Sequence, residues 1–520
     1  MKKRTMTVVL AGILAAALGL SAGAADNAGI ADGVLDVGYG AAIDTLTPFR
    51  SNVANDAPYM INLYESLGLT NSDGELELWV AKSWTTEDYF TYDIEIYDYV
   101  TDSAGNNITA DDIVWFIEEA KTRGLKPCFT KVESVEKTGD YTIRLKMNTN
   151  MIGSFDAVML ATFAVSKDAF LASENEFATQ AVTTSAYEVT EFVASATLKF
   201  ERRDDYWQDI ELLPKAVRPQ VQSCKYHIIT EASQMGIALE TNVIDVAIQM
   251  DNSTAIQFID NPDFHVEITD GTKGWTLFFS GSEERPAGRD EKLCQAICYA
   301  IDTEAMVVGL CNSAEYGDVM ADPCGQGLIG FDPEWKNEDY YSYNPEKAKE
   351  ILAESDYNGE TLSILCSSET FNQRMAQMIQ AYCGAVGINV ELNSLDIAGV
   401  MAIRLDGSQY DMFINTIQGP FLADHWSIRY DPAAYSTGDG TSRHDYELAE
   451  LLYKTWTVEG YTKENIDEVH DYLRDHAIAY GLINPKIFTV WNNECGLEEE
   501  VIETLGYICL LYTSPSPRDA

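Results

Sequence analysis

The chain has 520 residues, 46% of them hydrophobic, and a formal net charge of −47. A globular chain of this length is too long for one ordinary core and predicts two or three domains. The negative charge argues against nucleic acid and anionic lipid as partners, because both would be repelled. It either keeps an exported protein soluble or favours cationic ligands.

The N-terminus has the pattern of a secretory signal peptide. Three cations at positions 2–4 precede an apolar run over residues 6–20 and then small residues. The run is short for a bilayer span, so we expect residues 1–24 to be removed by cleavage near Ala24 or Ala25. A retained membrane anchor is the alternative. No cysteine near this point could carry a lipid, so we expect a periplasmic or extracellular, surface-associated protein without a lipid anchor.

Residues 509–520 do not look like native protein. The stretch that begins at Cys509 reads CLLYTSPSPRD, which looks like the translation of a sequencing adapter, and we exclude it as an artefact. The native chain is therefore expected to continue beyond Ile508. Without the signal peptide and this tail the net charge is about −50.

Nine cysteines precede this tail, an odd number without a C-x-x-C pair. At least one thiol is therefore expected to be unpaired within the chain. Cys294 and Cys298 lie one helical turn apart beside the apolar residues Leu293 and Ile297. This pattern favours two buried small side chains over a pair of metal ligands.

Between these ends, segments typical of strands alternate with segments typical of helices, as in an α/β protein. Apolar and polar residues alternate over 92–96, 141–147 and 198–200, which predicts half-buried strands. Thr109 with Asp112 forms the pattern of a capping box, and Asn344 precedes a proline, so helices are predicted to begin at both places. Further helical patterns run through about 231–241, 290–309, 372–386 and 463–480.

The usual catalytic and metal-binding motifs are absent from the sequence. There is no G-x-S-x-G, H-E-x-x-H, glycine-rich phosphate loop or EF-hand spacing. The histidines do not pair at metal-ligand spacing, and His470 and His476 fall on different faces of a predicted helix. We therefore predict a protein that is not an enzyme and that has no catalytic residue, no metal ligand and no cofactor.

Four segments occur in a fixed order along the chain: Ala81–Ile113, with AKSW, TYDIEI and ITADDI; Phe200–Trp207, FERRDDYW; Gln295–Glu304, QAICYAIDTE; and Tyr343–Lys349, YNPEKAK. Together they resemble extracytoplasmic solute-binding family 5, the peptide- and nickel-binding components of ATP-driven importers. The resemblance covers the chain from about residue 35 to residue 500.

The resemblance implies an α/β, two-lobed type II periplasmic-binding-protein-like fold with an extra domain inserted in the first lobe. The expected domains are a first lobe of residues 26–70, 178–275 and 481–508, an inserted domain of residues 71–177, and a second lobe of residues 276–480. The resemblance also implies that the lobes close over a ligand in their cleft, and that the permease subunits of an importer recognise the closed form. We expect a monomer.

The resemblance also points to ligand-binding residues. Peptide-binding members hold the peptide N-terminus with an aspartate after a strand of the Tyr-Asp-Met type, which here is Tyr410–Asn415. The downstream candidates are Asp424, in an Ala-Asp pattern, and Asp431, in an Asp-Pro pattern; both lie farther from the strand than usual. Each is alternatively a solvated loop carboxylate or a helix cap.

Aromatic residues complete this set of candidates. Phe421 and Trp426 flank Asp424 and would line the pocket or pack into the core. Tyr59 belongs to an N-terminal loop that faces the cleft in this family. The loop of residues 367–370 has no cation for a peptide carboxylate, which fits a longer peptide, a blocked terminus or a different ligand.

Other ligands and other functions stay open at this point. Within the family these are a nickel chelate, with His425 as the obvious histidine, an oligosaccharide or haem. Outside it they are a secreted hydrolase, which needs a nucleophile beside a base, and a sensory ligand-binding domain.

Overall fold

The computed structural model describes residues 33–50, 59–70, 75–214, 217–219, 221–271, 274–323, 328–417, 422–434 and 445–493. Its strands are β1 (Val34–Tyr39), β2 (Gly68–Thr70), β3 (Leu76–Leu78), β4 (Ala81–Thr86), β5 (Thr91–Ile96), β6 (Val132–Gly139), β7 (Thr142–Met147), β8 (Tyr187–Val193), β9 (Thr197–Arg202), β10 (Ser223–Ile228), β11 (Val246–Met250), β12 (Phe264–Thr269), β13 (Gly274–Phe279), β14 (Gly317–Val319), β15 (Thr361–Ser367), β16 (Asn389–Leu395), β17 (Met412–Ile417), β18 (Ala479–Pro485) and β19 (Ile487–Asn492). Its α-helices are Ala110–Arg123, Ser154–Ala161, Lys167–Ala172, Ala232–Glu240, Asn252–Ala255, Glu291–Ala300, Thr303–Cys311, Pro345–Leu352, Thr370–Val386, Ile397–Ile403, Leu422–Arg429, Tyr446–Thr455 and Lys463–Asp475.

Two large mixed sheets organise the described residues. The first has the strand order β12-β19-β11-β1-β10-β9-β8, and β1 pairs in parallel with β10 and β11. The second has the order β14-β18-β13-β17-β15-β16, and β15 pairs in parallel with β16 and β17. Helices connect the parallel strands, as such crossovers require. The result is a two-lobed α/β fold with a sheet in each lobe.

The chain crosses between the two sheets in two neighbouring places. One crossing lies between Thr269 at the end of β12 and Gly274 at the start of β13, and the other is at Lys486 between β18 and β19. The Asn484 Nδ2 donates a hydrogen bond to the Gly271 carbonyl across them (2.8 Å). These strand ends locate the connection between the lobes, and the exact domain limits given above stay a prediction.

A smaller antiparallel sheet, β4-β5-β7-β6, lies between β1 and β8 in sequence. Its helix Ala110–Arg123 begins at the predicted capping box, in which the Thr109 N–H donates to Asp112 Oδ2 (2.8 Å). The helix ends at Gly124, whose φ of 62° is a left-handed conformation that suits glycine. Strands β5 and β7 match the predicted alternation, with Ile94 and the other apolar residues buried.

The segment Phe200–Trp207 joins this smaller domain to the first lobe. The Arg203 guanidinium is buried and donates to the Asp102 carbonyl (2.9 Å) and the Ser185 carbonyl (3.2 Å). The Tyr206 hydroxyl and the Trp207 indole N–H donate to the fully buried Glu65 carboxylate at 2.5 and 2.6 Å. Buried polar groups with several partners fix one relative position of the elements that carry them.

In the second lobe, Asn344 caps the helix Pro345–Leu352 as predicted, with its Oδ1 accepting from the Lys347 N–H (3.0 Å). Cys294 and Cys298 are fully buried and are not in a disulfide. No single helix of the described ranges is long and apolar enough to cross a bilayer. The neighbouring helices that begin at Glu291 and Thr303 meet that criterion only as a pair, bent by 52°.

Candidate ligand-binding site

Strand β17 lies in the middle of the second sheet and leads into the segment that carries most of the candidate site residues. It pairs with β13 on one side and β15 on the other. Just before it, the buried Asp411 carboxylate accepts from the Ser363 N–H (2.8 Å) and lies 3.3 Å from Arg285 Nη1. The strand ends at Ile417, and the chain next forms the helix Leu422–Arg429. Phe421 lies outside the described residues.

Trp426 is in the helix Leu422–Arg429 and has no exposed surface. It belongs to an apolar cluster of the second lobe that also contains Phe278, Trp335, Tyr430 and Leu452. The structure therefore places this indole in the core of the lobe. Its predicted contact with a ligand stays a prediction.

The two candidate aspartates differ in their surroundings. Asp424 is in the helix, but its side chain lies outside what the structure describes. Asp431 is buried, and its Oδ1 accepts from the Tyr453 hydroxyl (2.9 Å) and from the Ala433 N–H (3.0 Å). Burial and this carboxylate raise the pKa of Tyr453 to about 12. The Asp431 carboxylate thus fastens the turn after the helix to the helix Tyr446–Thr455.

Tyr59 is fully buried, and its hydroxyl donates to the Thr45 carbonyl (3.3 Å). It lies in the large apolar cluster that the first lobe shares with the smaller domain. Trp426 belongs to a different cluster, that of the second lobe. The predicted role of Tyr59 at the ligand therefore stays a prediction.

The helix also presents two polar side chains to the interior, His425 and Arg429. Both are buried, and His425 Nε2 has no hydrogen-bond partner among the described residues. Burial and the nearby Arg429 guanidinium keep the pKa of His425 well below its usual range. The guanidinium carbon of Arg429 lies 5.0 Å from the centre of the Phe278 ring.

Arg429 was not among the predicted site residues, because a cation for the peptide carboxylate was expected in the loop of residues 367–370. The spacing of four residues between His425 and Arg429, which places both on one helix face, is the signal that could have found it. Arg374, the cation nearest that loop, donates to the Gly309 carbonyl (2.6 Å). The helix Leu422–Arg429 thus combines a carboxylate, a neutral imidazole and a cation.

The lobes also touch away from the crossings. The Ile152 N–H, next to the helix Ser154–Ala161 of the smaller domain, donates to the Trp456 carbonyl of the second lobe (2.6 Å). The Asn252 amide of the first lobe donates to the Cys311 carbonyl of the second (2.7 Å). Near the first contact, burial raises the pKa of Asp156 to about 6. These contacts define one arrangement of the two lobes around the space between them.

Comparisons with known proteins agree with this architecture. A family model described as "Bacterial extracellular solute-binding proteins, family 5 Middle" matches residues 75–437. The oligopeptide-binding protein AppA of Bacillus subtilis is 25% identical over 483 residues, which cover 84% of this chain and 82% of AppA. The nickel-binding periplasmic protein of Escherichia coli is 20% identical over 419 residues, 75% of each chain.

A solved structure has the same fold. It is the B. subtilis oligopeptide-binding protein AppA in complex with a nonapeptide, similar at a TM-score of 0.72 and 17% identity, over 93% of this chain and 99% of that one. The two-lobed α/β fold expected from the sequence, of the type II periplasmic-binding-protein kind, is therefore confirmed.

Proposed function

Because the chain belongs to the bacterial extracellular solute-binding proteins of family 5, we propose that it captures short peptides between its lobes and delivers them to an ATP-driven importer. The observation that carries this proposal is the pair of neighbouring crossings between two separate sheets, in a chain similar over most of its length to an oligopeptide-binding protein. Two lobes joined in this way can rotate toward each other. A ligand that contacts both stabilises the closed arrangement by its higher affinity for it.

In this proposal a peptide lies extended between the lobes and bonds mainly through its backbone. Asp424 holds its ammonium group, with Asp431 as the second candidate. Phe421, Trp426 and Tyr59 are the proposed aromatic residues of the site, and the buried Trp426 and Tyr59 support its walls from the cores of the two lobes. The protein acts outside the cytoplasm as a monomer, with importer permease subunits as its partners, and it releases its ligand unchanged.

A screen by thermal unfolding tests the ligand class. We expect di- to pentapeptides to raise the melting temperature, because a ligand that binds only the folded state stabilises it by mass action. Oligosaccharides, nickel with histidine, and haem form the comparison set. A shift with a member of that set and none with peptides would make the peptide assignment wrong. Mass spectrometry of the bound peptide separates retention from hydrolysis, and cleaved products would support an enzyme.

A nickel chelate is the second candidate ligand. The observations that favour it are the similarity to a nickel-binding protein and the neutral, buried imidazole of His425, whose Nε2 has no hydrogen-bond partner among the described residues. A His425→Gln variant that loses the thermal shift with nickel and histidine, and keeps any shift with peptides, would identify this imidazole as the ligand to nickel.

A further inference from the structure

His470, in the helix Lys463–Asp475 of the second lobe, is held from two sides. Its side chain is 1% exposed, and its ring stacks on that of Trp335, with 3.9 Å between the centres and 4° between the planes. Its Nδ1 lies 2.7 Å from Oδ2 of Asp322, which has no exposed surface. A carboxylate accepts hydrogen bonds, so we assign a ring proton to Nδ1, and in the neutral ring Nε2 then carries a lone pair.

The lone pair of Nε2 faces other acceptors. The nearest charged atom is Oε2 of Glu338 at 3.6 Å, too long for a hydrogen bond, and Nε2 is buried without a hydrogen-bond partner among the described residues. Asp471 adds a third group, and ligand atoms of these three residues all lie within 4.8 Å of one another. A buried acceptor without a partner is costly, so Nε2 needs a donor or a cation beside it.

Arg474 partly meets that need. Its Nη2 lies 2.9 Å from Asp471 Oδ1, and its Nη1 contacts Glu338 Oε2. However, the Arg474 guanidinium donates no hydrogen bond to His470 Nε2. Glu338 and Asp471 are exposed at the surface, so two of the three groups are open to solvent.

We propose that His470 Nε2, Glu338 and Asp471 bind a divalent transition-metal ion of the zinc type. One imidazole with two carboxylates suits zinc and its neighbours, whereas magnesium and calcium take oxygen ligands. Asp322 holds the ring from behind, as a carboxylate commonly does for a metal-bound histidine. The ion would join the segment around Glu338 to the helix Lys463–Asp475, on residues separate from Asp424 and the ligand cleft.

Titration with Zn²⁺ against a chromogenic chelator tests the site. We expect one tight Zn²⁺ per chain, and Co²⁺ in its place should give visible absorption with nitrogen and oxygen ligands. Glu338→Gln and Asp471→Asn should each weaken binding about tenfold or more, in line with the loss on altering metal-site partners. Both side chains are exposed, so these variants are expected to fold. His470→Gln should abolish binding.

Arg474→Met gives the opposite expectation. It keeps the apolar stem and removes the competing charge, so Zn²⁺ should bind several-fold more tightly. The matched control is His476→Gln, which removes an imidazole paired with Glu291 at 2.7 Å near the end of the same helix, and should leave Zn²⁺ binding unchanged. Absence of tight binding in both the natural chain and Arg474→Met would overturn the proposal. The proposal would also be overturned if Zn²⁺ binding were unchanged in both Glu338→Gln and Asp471→Asn, or if it were lost in His476→Gln.

Discussion

Asp424 and Asp431 are seven positions apart, yet they are suited to different tasks. Asp431 already accepts hydrogen bonds from Tyr453 and Ala433, and this use satisfies part of its charge inside the second lobe. Asp424 shares its helix with the buried His425 and Arg429. At the scale of single residues, the proposal above therefore assigns the peptide ammonium to Asp424 first, and the hydrogen bonds of Asp431 give that residue a structural role.

Asp424→Asn tests this division of roles. The variant keeps the shape and removes the charge that would pair with a peptide ammonium, so peptide affinity should fall about 10- to 100-fold, the value of a charge-assisted hydrogen bond. Isothermal titration calorimetry measures it. Asp431→Asn is the matched control and should lower thermal stability more than affinity. Unchanged affinity in Asp424→Asn would remove this residue as the anchor.

Between elements, the contact of Glu65 with the segment Phe200–Trp207 has the clearest energetic consequence. Burial raises the pKa of Glu65 to about 8, although Tyr206, Trp207 and Arg203 act in the opposite direction. The folded protein therefore holds the proton more tightly than the unfolded chain. The stabilisation from this group is complete below about pH 4.5 and is lost as the pH rises toward 8.

Glu65→Gln should remove this pH dependence. The amide can accept from the Trp207 indole N–H and donate to the Tyr206 oxygen, so the contact is kept without a titratable proton. Relative to the variant, the natural chain should lose on the order of 1 kcal/mol of unfolding free energy per pH unit between about pH 5 and 8. Urea unfolding of both chains at several pH values measures the difference. If the unfolding free energies of the two chains changed with pH in the same way, this expectation would be wrong.

The same elements show how far local patterns reach. Alternation predicted β5, β7 and β9, and the cap residues Thr109 and Asn344 predicted two helix starts, because each signal lies within a few consecutive residues. Glu65 was not singled out, because its importance depends on Tyr206, 141 residues away.

For the whole molecule, the contact between Ile152 and Trp456 joins the smaller domain to the second lobe. If ligand binding brings the lobes together, such a contact belongs to the closed arrangement and adds to its stability. The net value of one hydrogen bond, about 0.5–1.5 kcal/mol, corresponds to a change of about two- to tenfold in affinity.

Ile152→Pro removes the donor N–H and should weaken ligand binding by that factor, while unfolding without ligand changes less. Calorimetry with the best ligand from the screen measures the affinity. Ile152→Ala, which keeps the N–H, is the control and should bind as the natural chain does. Equal affinities for the proline and alanine variants would show that this contact does not distinguish the closed arrangement.

The sequence by itself determined the family, the α/β class and the positions of capped helices, because these depend on ordered motifs and on periodicity along neighbouring residues. It also directed attention to the segment after β17, in which Asp424 lies. Only the tertiary structure decided which side chains meet. In it, Trp426 and Tyr59 are buried, Asp431 accepts a hydrogen bond from the Tyr453 hydroxyl, and Arg429 lies beside His425.

The proposed metal site shows the same limit most clearly. His470 and His476 fall on different faces of their helix, so their spacing predicts no metal site. Folding places Asp322, 148 residues away, behind the ring and Glu338 in front of it. Contacts between residues so distant in sequence follow from how the whole chain packs, and no local pattern encodes them.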